Sequence, residues 1–240
     1  MAQLWDEPII DPAHRSALDE LRAAKVTAEM TLVLLDFYRN KAVELSGDPG
    51  LCVDLVDDHK EASYVPDRHR LDLFAGAVAD APGLDWLDLL HGECWHELAH
   101  ALFSQPQIWE GAQHRGELNE AANLLEDIRI GRRLLEGHAD ARSWLRANVA
   151  GRWFLPEVIQ ARSDAAMNGW GRIATILCGR AHSGVVTAAE SGRLRALFPE
   201  ATPEAFAACD RVWAEYSALS DEDAASGSAD RLIGELAAYF

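Results

Sequence analysis

The sequence lacks a long hydrophobic run and a basic leader segment. The longest uncharged apolar run in its N-terminal half, Met30 to Leu35, is far shorter than the roughly 20 residues that cross a bilayer. The opening residues carry acidic side chains and no basic stretch of the kind that begins a signal peptide. We therefore expect no membrane partner and a cytoplasmic location.

Basic residues are also scarce, since 22 Lys and Arg stand against 39 Asp and Glu and give a net charge of −17. A field of that sign repels phosphate backbones, so we expect no nucleic-acid partner. The four cysteines (Cys52, Cys94, Cys178 and Cys209) are widely spread and form no C-x-x-C pair. We interpret them as reduced thiols rather than as a disulfide framework or a metal-binding set.

Apolar residues make up 49% of the chain and charged residues 25%, a composition typical of a globular protein. Residues 12–46 show helical spacing between a capping pair, Asp11-Pro12, and a terminating glycine, Gly47. The β-branched segment 51–56 and the segment 71–74 predict strands that form a hairpin or small sheet. The pattern is therefore α+β and mainly α.

Two further helices are predicted at 85–104, ended by Pro106, and at 116–136, ended by Gly137. The chain stays helical in character after Asp140, apart from a small, acidic, loop-like segment at 220–227. We expect a core domain at 1–140 with the N-terminal helix, and a helical C-terminal region at 141–240 packed on it.

The helix at 85–104 is apolar on nearly every side, which is typical of a buried helix, and it carries an H-E-x-x-H motif at His96, Glu97 and His100. Residues four apart lie on one helical face, so both imidazoles can bind one Zn²⁺. Glu97 lies beside them as a candidate general base that activates water. The alternative is a pair of hydrogen-bonded core histidines, but an unpartnered buried Glu97 would then cost several kcal/mol.

A catalytic zinc site needs a third protein ligand, and the helix at 116–136 offers Glu120 and Glu126. A helical wheel places Glu126 at the edge of the apolar face, whereas Glu120 and Asp127 point away from it. The wheel therefore favours Glu126 without excluding Glu120. The alternative for Glu126 is a solvated charge that pairs with Arg129 or Arg133.

With the downstream Glu126, the H-E-L-A-H segment resembles the gluzincin zinc metallopeptidases. The tract from Asn123 to Arg132, N-L-L-E-D-I-R-I-G-R, is similar to the compact phage and bacterial metallopeptidase-like domains that accompany von Willebrand factor A modules, as in relatives of cobaltochelatase subunits. This resemblance covers about a third of the chain. It implies a zincin-like core, His96, His100 and Glu126 as zinc ligands, and Glu97 as the catalytic base, while Asp127 or Asn123 could orient a ligand.

Three functions follow as hypotheses. The first is a zinc metallopeptidase that hydrolyses peptide bonds of a protein or peptide substrate. The second is a catalytically silent zinc-binding scaffold in an ATPase-linked or phage assembly, with a von Willebrand factor A module or an ATPase as partner. The third is a helical interaction protein in which the motif is accidental.

Overall fold

The structure is a computed structural model that describes residues 28–56, 62–74, 86–105, 108, 118–149, 186–199, 201–236 and 238–239. The chain divides into two compact units. The first comprises Met1–Leu102 and His138–Gly151, and the second comprises Phe103–Gly137 and Arg152–Phe240. Within the described residues, no helix is both long enough and apolar enough to cross a membrane.

The first described helix of the first unit is α1 (Ala28–Ser46). The helix ends where predicted, because Gly47 adopts a φ of 68° and donates its N–H to the carbonyl of Val43 at 2.9 Å. Leu34, Tyr38 and Ala42 recur every fourth residue and are buried, and α1 packs on the first strand. The predicted start of this helix at Asp11-Pro12 lies outside the described residues.

A three-stranded sheet follows, built from β1 (Cys52–Val56), β2 (Ser63–Val65) and β3 (Arg70–Phe74) in the order β1-β3-β2. β3 runs parallel to β1 and antiparallel to β2, which is joined to it by the 3₁₀ turn Pro66–Arg68. Both predicted strands are thus confirmed. The hairpin alternative is wrong, because the two strands run in the same direction, and the small-sheet alternative is the one found.

Helix α2 (Trp86–Phe103) carries the H-E-x-x-H motif, and a 3₁₀ turn, Ala139–Ala141, leads into α4 (Arg142–Val149). The two helices approach closely at Gly92. A Cβ atom at this position would lie 2.3 Å from the carbonyl oxygen of Trp144, which no real contact permits. The glycine therefore allows α2 to pack directly on the backbone of α4.

The second unit contains α3 (Leu118–Gly137), α5 (Ala188–Arg195), α6 (Pro203–Ser217) and α7 (Ala229–Leu236). Helices α3, α6 and α7 pack on one another through buried apolar side chains, among them Leu125, Ile128, Leu134, Val212, Leu232 and Ile233. Thr202 caps α6 by accepting a hydrogen bond from the N–H of Ala205.

The predicted loop at 220–227 is wrong. A helical turn, Asp221–Asp223, and a π-helical turn, Ala224–Ser228, occupy this segment, and Ser220 caps the first of them through its hydroxyl. The small residues that suggested a loop are accommodated because Gly227 adopts a φ of 79°. The described part of the chain is mainly helical with one small sheet, which confirms the α+β class. The domain division at residue 140 stays a prediction.

Candidate metal centre

The two histidines of the motif face each other on α2. Their ring centroids lie 4.9 Å apart with the ring planes at 90°, and His96 and His100 are 5% and 4% exposed. Their surroundings on the same helix are apolar, since Leu98 and Ala99 are also buried. The four-residue spacing therefore does what the sequence predicted: it brings two imidazoles together in a dry environment.

Glu97 is buried beside this pair, and its Oε1 lies 4.0 Å from Nε2 of His96. Cys94 is buried nearby. Burial raises the pKa of its thiol to about 12, and the carboxylates of Glu97 and Glu93 add to this effect. Cys94 is therefore a neutral thiol at ordinary pH in these surroundings.

His91, one turn before the motif, serves a different purpose. Its Nδ1 is hydrogen-bonded to the hydroxyl of Tyr38 at 2.8 Å, and its ring stacks at 4.6 Å on Trp144 and at 5.5 Å on Phe37. These contacts are what a core histidine needs.

Glu126 on α3 is completely buried and accepts four hydrogen bonds. Its Oε1 accepts from Ser104 and Arg129, both at 2.7 Å, and its Oε2 accepts from Arg129 at 2.9 Å and from Tyr216 at 3.0 Å. A carboxylate has about four lone-pair positions, so these donors fill it. The solvated alternative for Glu126 is wrong: it does pair with Arg129, but the pair is 0% exposed.

Arg129 is the other half of this buried pair. It also donates to the carbonyl of Phe103 at 2.9 Å and forms an ion pair with Asp221. Burial lowers the pKa of the Arg129 guanidinium, but its bonds to Glu126 and Asp221 outweigh burial and raise that pKa above its usual range. Arg129 therefore remains charged inside the second unit.

Asp127 is also buried, with 7% of its surface exposed. The wheel placed it on the polar side of the helix, and that inference is wrong because every residue from Leu124 to Gly131 is buried. A helix that is buried on all sides has no polar face by which carboxylates can be sorted. The sequence feature that could have predicted this burial is the Glu126-Asp127 doublet, which has apolar residues on both sides.

His96 and His100 are buried on one helix with ring centroids 4.9 Å apart, and imidazole nitrogens are common ligands of Zn²⁺. In the second unit, Glu126 and Asp127 are two adjacent buried carboxylates.

The role of Glu126 as third ligand stays a prediction, as does the role of Glu97. The side chain of the competing candidate, Glu120, lies outside what the structure describes. Ser104 and Tyr216, the partners of Glu126, were missed by sequence reasoning, because nothing in the local pattern of either segment marks a contact with a residue so distant in the chain.

Comparisons of the chain with protein families, with curated proteins and with solved structures gave no match. The assignment of this centre therefore depends on its own geometry and chemistry.

Proposed function

We propose that this protein is a zinc-dependent hydrolase of peptide bonds, with His96, His100 and Glu126 as metal ligands and Glu97 as general base. The observation that carries the proposal is the pair of buried imidazoles on α2 with the buried carboxylate of Glu97 at 4.0 Å from His96. Catalytic zinc sites use three protein ligands and leave a further position for water or substrate. The resemblance to metallopeptidases rests on the same motif, on Glu126 and on the tract from Asn123 to Arg132.

The surroundings of Glu126 set a chemical cost on its role as third ligand. Glu126 would have to give up hydrogen bonds from Ser104, Tyr216 or Arg129 before it could offer a lone pair to a metal. Each of these bonds is made to a charged acceptor in a dry environment, so breaking one is costly. Asp127, the neighbouring buried carboxylate, is therefore the alternative third ligand, and substitution separates the two carboxylates.

The protein's own residues would divide the chemistry as follows. When bound, zinc supplies a Lewis acid that polarises a carbonyl and makes water more acidic. His96, His100 and Glu126 would hold it. Glu97, adjacent to His96, accepts the proton of the attacking water on its carboxylate and then delivers it to the nitrogen of the leaving amine. Its burial keeps bulk water away from that proton transfer.

The same burial favours a second candidate function. His96, Glu97 and His100 are each at most 5% exposed, which also suits a site that holds zinc without turning over a substrate. In this second candidate the protein is a zinc-binding scaffold that docks a partner of an ATPase-linked or phage assembly. Activity, not metal content, distinguishes the two candidates.

The test combines metal analysis with cleavage of a mixed peptide library. We expect one zinc per chain in the purified protein and its loss in His96→Ala. Glu97→Gln keeps the metal and lowers the cleavage rate about 100- to 10,000-fold, because a general base contributes that much. Glu93→Gln, one turn earlier on the same helix, is the matched control and leaves both properties unchanged.

Zinc that persists in His96→Ala would contradict the metal site. If the protein binds zinc but cleaves no peptide, or if cleavage survives Glu97→Gln, the peptidase proposal is contradicted. The zinc-binding scaffold then remains.

A further inference from the structure

Three side chains of the first unit form a hydrogen-bonded chain that has no part in the proposed metal site. Nε2 of His69 lies 2.8 Å from the carboxylate of Asp48, and Nδ1 of His69 lies 3.3 Å from the hydroxyl of Tyr64. Asp48 follows helix α1, Tyr64 belongs to β2, and His69 immediately precedes β3. The chain therefore fastens the loop after α1 to the connection between β2 and β3.

His69 also has a backbone conformation that favours glycine. Its φ is 49° and its ψ is 51°, at the end of the 3₁₀ turn Pro66–Arg68. In the part of the chain that the structure describes, it is the one residue other than glycine with a positive φ. A side chain adopts this conformation against a steric cost, which the two bonds of the imidazole offset. Strain of this kind is often found at functional positions.

The charges of the three groups respond differently to pH. Imidazole is the side chain whose charge ordinarily changes between pH 5 and 8. Bonds from the amide of Gly50 and from His69 lower the pKa of Asp48, so its carboxylate stays charged across that range. Burial and the charge of Asp48 raise the pKa of Tyr64, so its phenol stays neutral. A proton gained by the chain in this range is therefore carried by the imidazole.

Proton uptake changes both bonds of His69. In the neutral ring, Nε2–H donates to Asp48, because a carboxylate can only accept, and Nδ1 accepts from the hydroxyl of Tyr64. In the charged ring, Nδ1–H donates to the Tyr64 oxygen, so the direction of that bond reverses. The bond to Asp48 becomes an ion pair at the same time. Opposite charges attract more strongly than a neutral ring and a carboxylate do, so the chain is tighter at lower pH.

Among the described residues, Asp48 is the one charged group bonded to the imidazole. The strength of the chain therefore varies with the charge of one ring against one carboxylate. The other ionisable groups on the adjoining elements are Arg70 on β3, which pairs with Asp54 and Asp72, Cys52 on β1, whose thiol donates to the carbonyl of Gly50, and Asp67 and Arg68 of the 3₁₀ turn.

We infer that Asp48, His69 and Tyr64 form a pH-sensitive clamp, which tightens the joint between the loop after α1 and the β2–β3 connection when the imidazole takes up a proton. This inference is independent of the proposed metal site. Two backbone amides report on the clamp. The N–H of Gly50 donates to the Asp48 carboxylate at 2.8 Å, and the N–H of Cys52 donates to the carbonyl of His69 at 3.1 Å.

The experiment measures hydrogen exchange of these two amides by NMR in the full chain, as protection relative to an unstructured peptide at the same pH. Protection of both should be about two- to fivefold greater at about pH 5.5 than at about pH 7.5, because the ion pair is half exposed. His69→Asn tolerates the left-handed conformation but carries no charge, so it should show no such difference. Asp48→Asn keeps an oxygen for the Gly50 amide and should lose the difference as well.

The matched control is Glu44→Gln. Glu44 is an exposed carboxylate of the same unit, and it pairs with Lys41 at 3.2 Å rather than with His69. This variant should keep the full pH difference. Equal protection at the two pH values in the unsubstituted protein would overturn the inference. A difference that persists in His69→Asn would overturn it too, because the proton would then be taken up by another group.

Discussion

The two helices that carry the proposed ligands are held by different forces. Helix α2 is held by apolar packing and by one close approach, at Gly92, to the backbone of α4. Helix α3 is held around its middle by a buried ionic network centred on Arg129 and Glu126. The first arrangement should be sensitive to volume and the second to charge, and this difference can be measured.

The largest effect is expected from Arg129→Met, which keeps the length of the side chain but leaves Glu126 and Asp221 without their buried cation. Removing one partner of a buried pair costs about 3–5 kcal/mol in the free energy of unfolding. Urea titration measures it. The control, Arg132→Met on the exposed side of the same helix, should change stability by about 0.5 kcal/mol or less. A loss below about 1 kcal/mol in Arg129→Met would contradict the charge-sensitive account of α3.

Gly92→Ala tests whether the packing of α2 is sensitive to side-chain volume. Its new methyl group meets the carbonyl oxygen of Trp144 at 2.3 Å and the backbone nitrogen of Asn148 at 2.9 Å, so α2 and α4 must move apart. We expect a loss of about 3 kcal/mol, the upper end of the cost of overpacking. Gly192→Ala in α5 has nothing within 4 Å and should be neutral or stabilising by up to about 1 kcal/mol. Equal effects in the two variants would mean that the close approach is unimportant.

Two buried tyrosines allow a direct comparison of the helices. Tyr216 donates to the carboxylate of Glu126, whereas Tyr38 is hydrogen-bonded to the imidazole of His91 on α2. A hydrogen bond to a charged group contributes about 1.5–3 kcal/mol to the free energy of unfolding, and a hydrogen bond between neutral groups contributes about 0.5–1.5 kcal/mol. Tyr216→Phe should therefore cost about 2 kcal/mol and Tyr38→Phe about 1 by thermal or urea unfolding. The reverse order would show that the polar contacts of α2 matter more than those of α3.

The smallest effect is a pH dependence in α6, which packs on α3. Burial raises the pKa of the Cys209 thiol from 9.0 to about 12. Between these values the unfolded chain releases a proton that the folded chain keeps, so stability is full below pH 9.0 and falls as the pH rises. At pH 9.5 the loss from this group is about 0.8 kcal/mol. Cys209→Ala should remove this part of the loss of stability with rising pH, measured by urea unfolding at several alkaline pH values. An unchanged pH dependence in the variant would contradict the assignment to Cys209.

Local patterns predicted the helices well and the sheet only in part. Helices α2 and α3 begin and end within two residues of the predicted positions, and α1 ends at Gly47, because capping and periodicity are written in consecutive residues. Strand β2 is three residues long and gives too short a pattern to recognise. The parallel direction of β1 and β3 depends on a pairing between distant segments, which no local signal specifies.

The candidate site shows the same division. The histidine pair was predictable because its geometry follows from a four-residue spacing on one helix. The surroundings of Glu126 and Asp127 were not, because they depend on Ser104, Tyr216 and the complete burial of the middle of α3. A helical wheel assumes one exposed face, and that assumption fails for residues 124–131.

Anomalous diffraction at the zinc edge from crystals of the zinc-loaded protein tests the metal site most directly. We predict one strong peak, with a nitrogen of His96, a nitrogen of His100 and a carboxylate oxygen of Glu126 at about 2.0–2.2 Å from it. A peak bound by Asp127 instead of Glu126 would contradict the third ligand, and a peak elsewhere in the molecule or no peak at all would contradict the metal site.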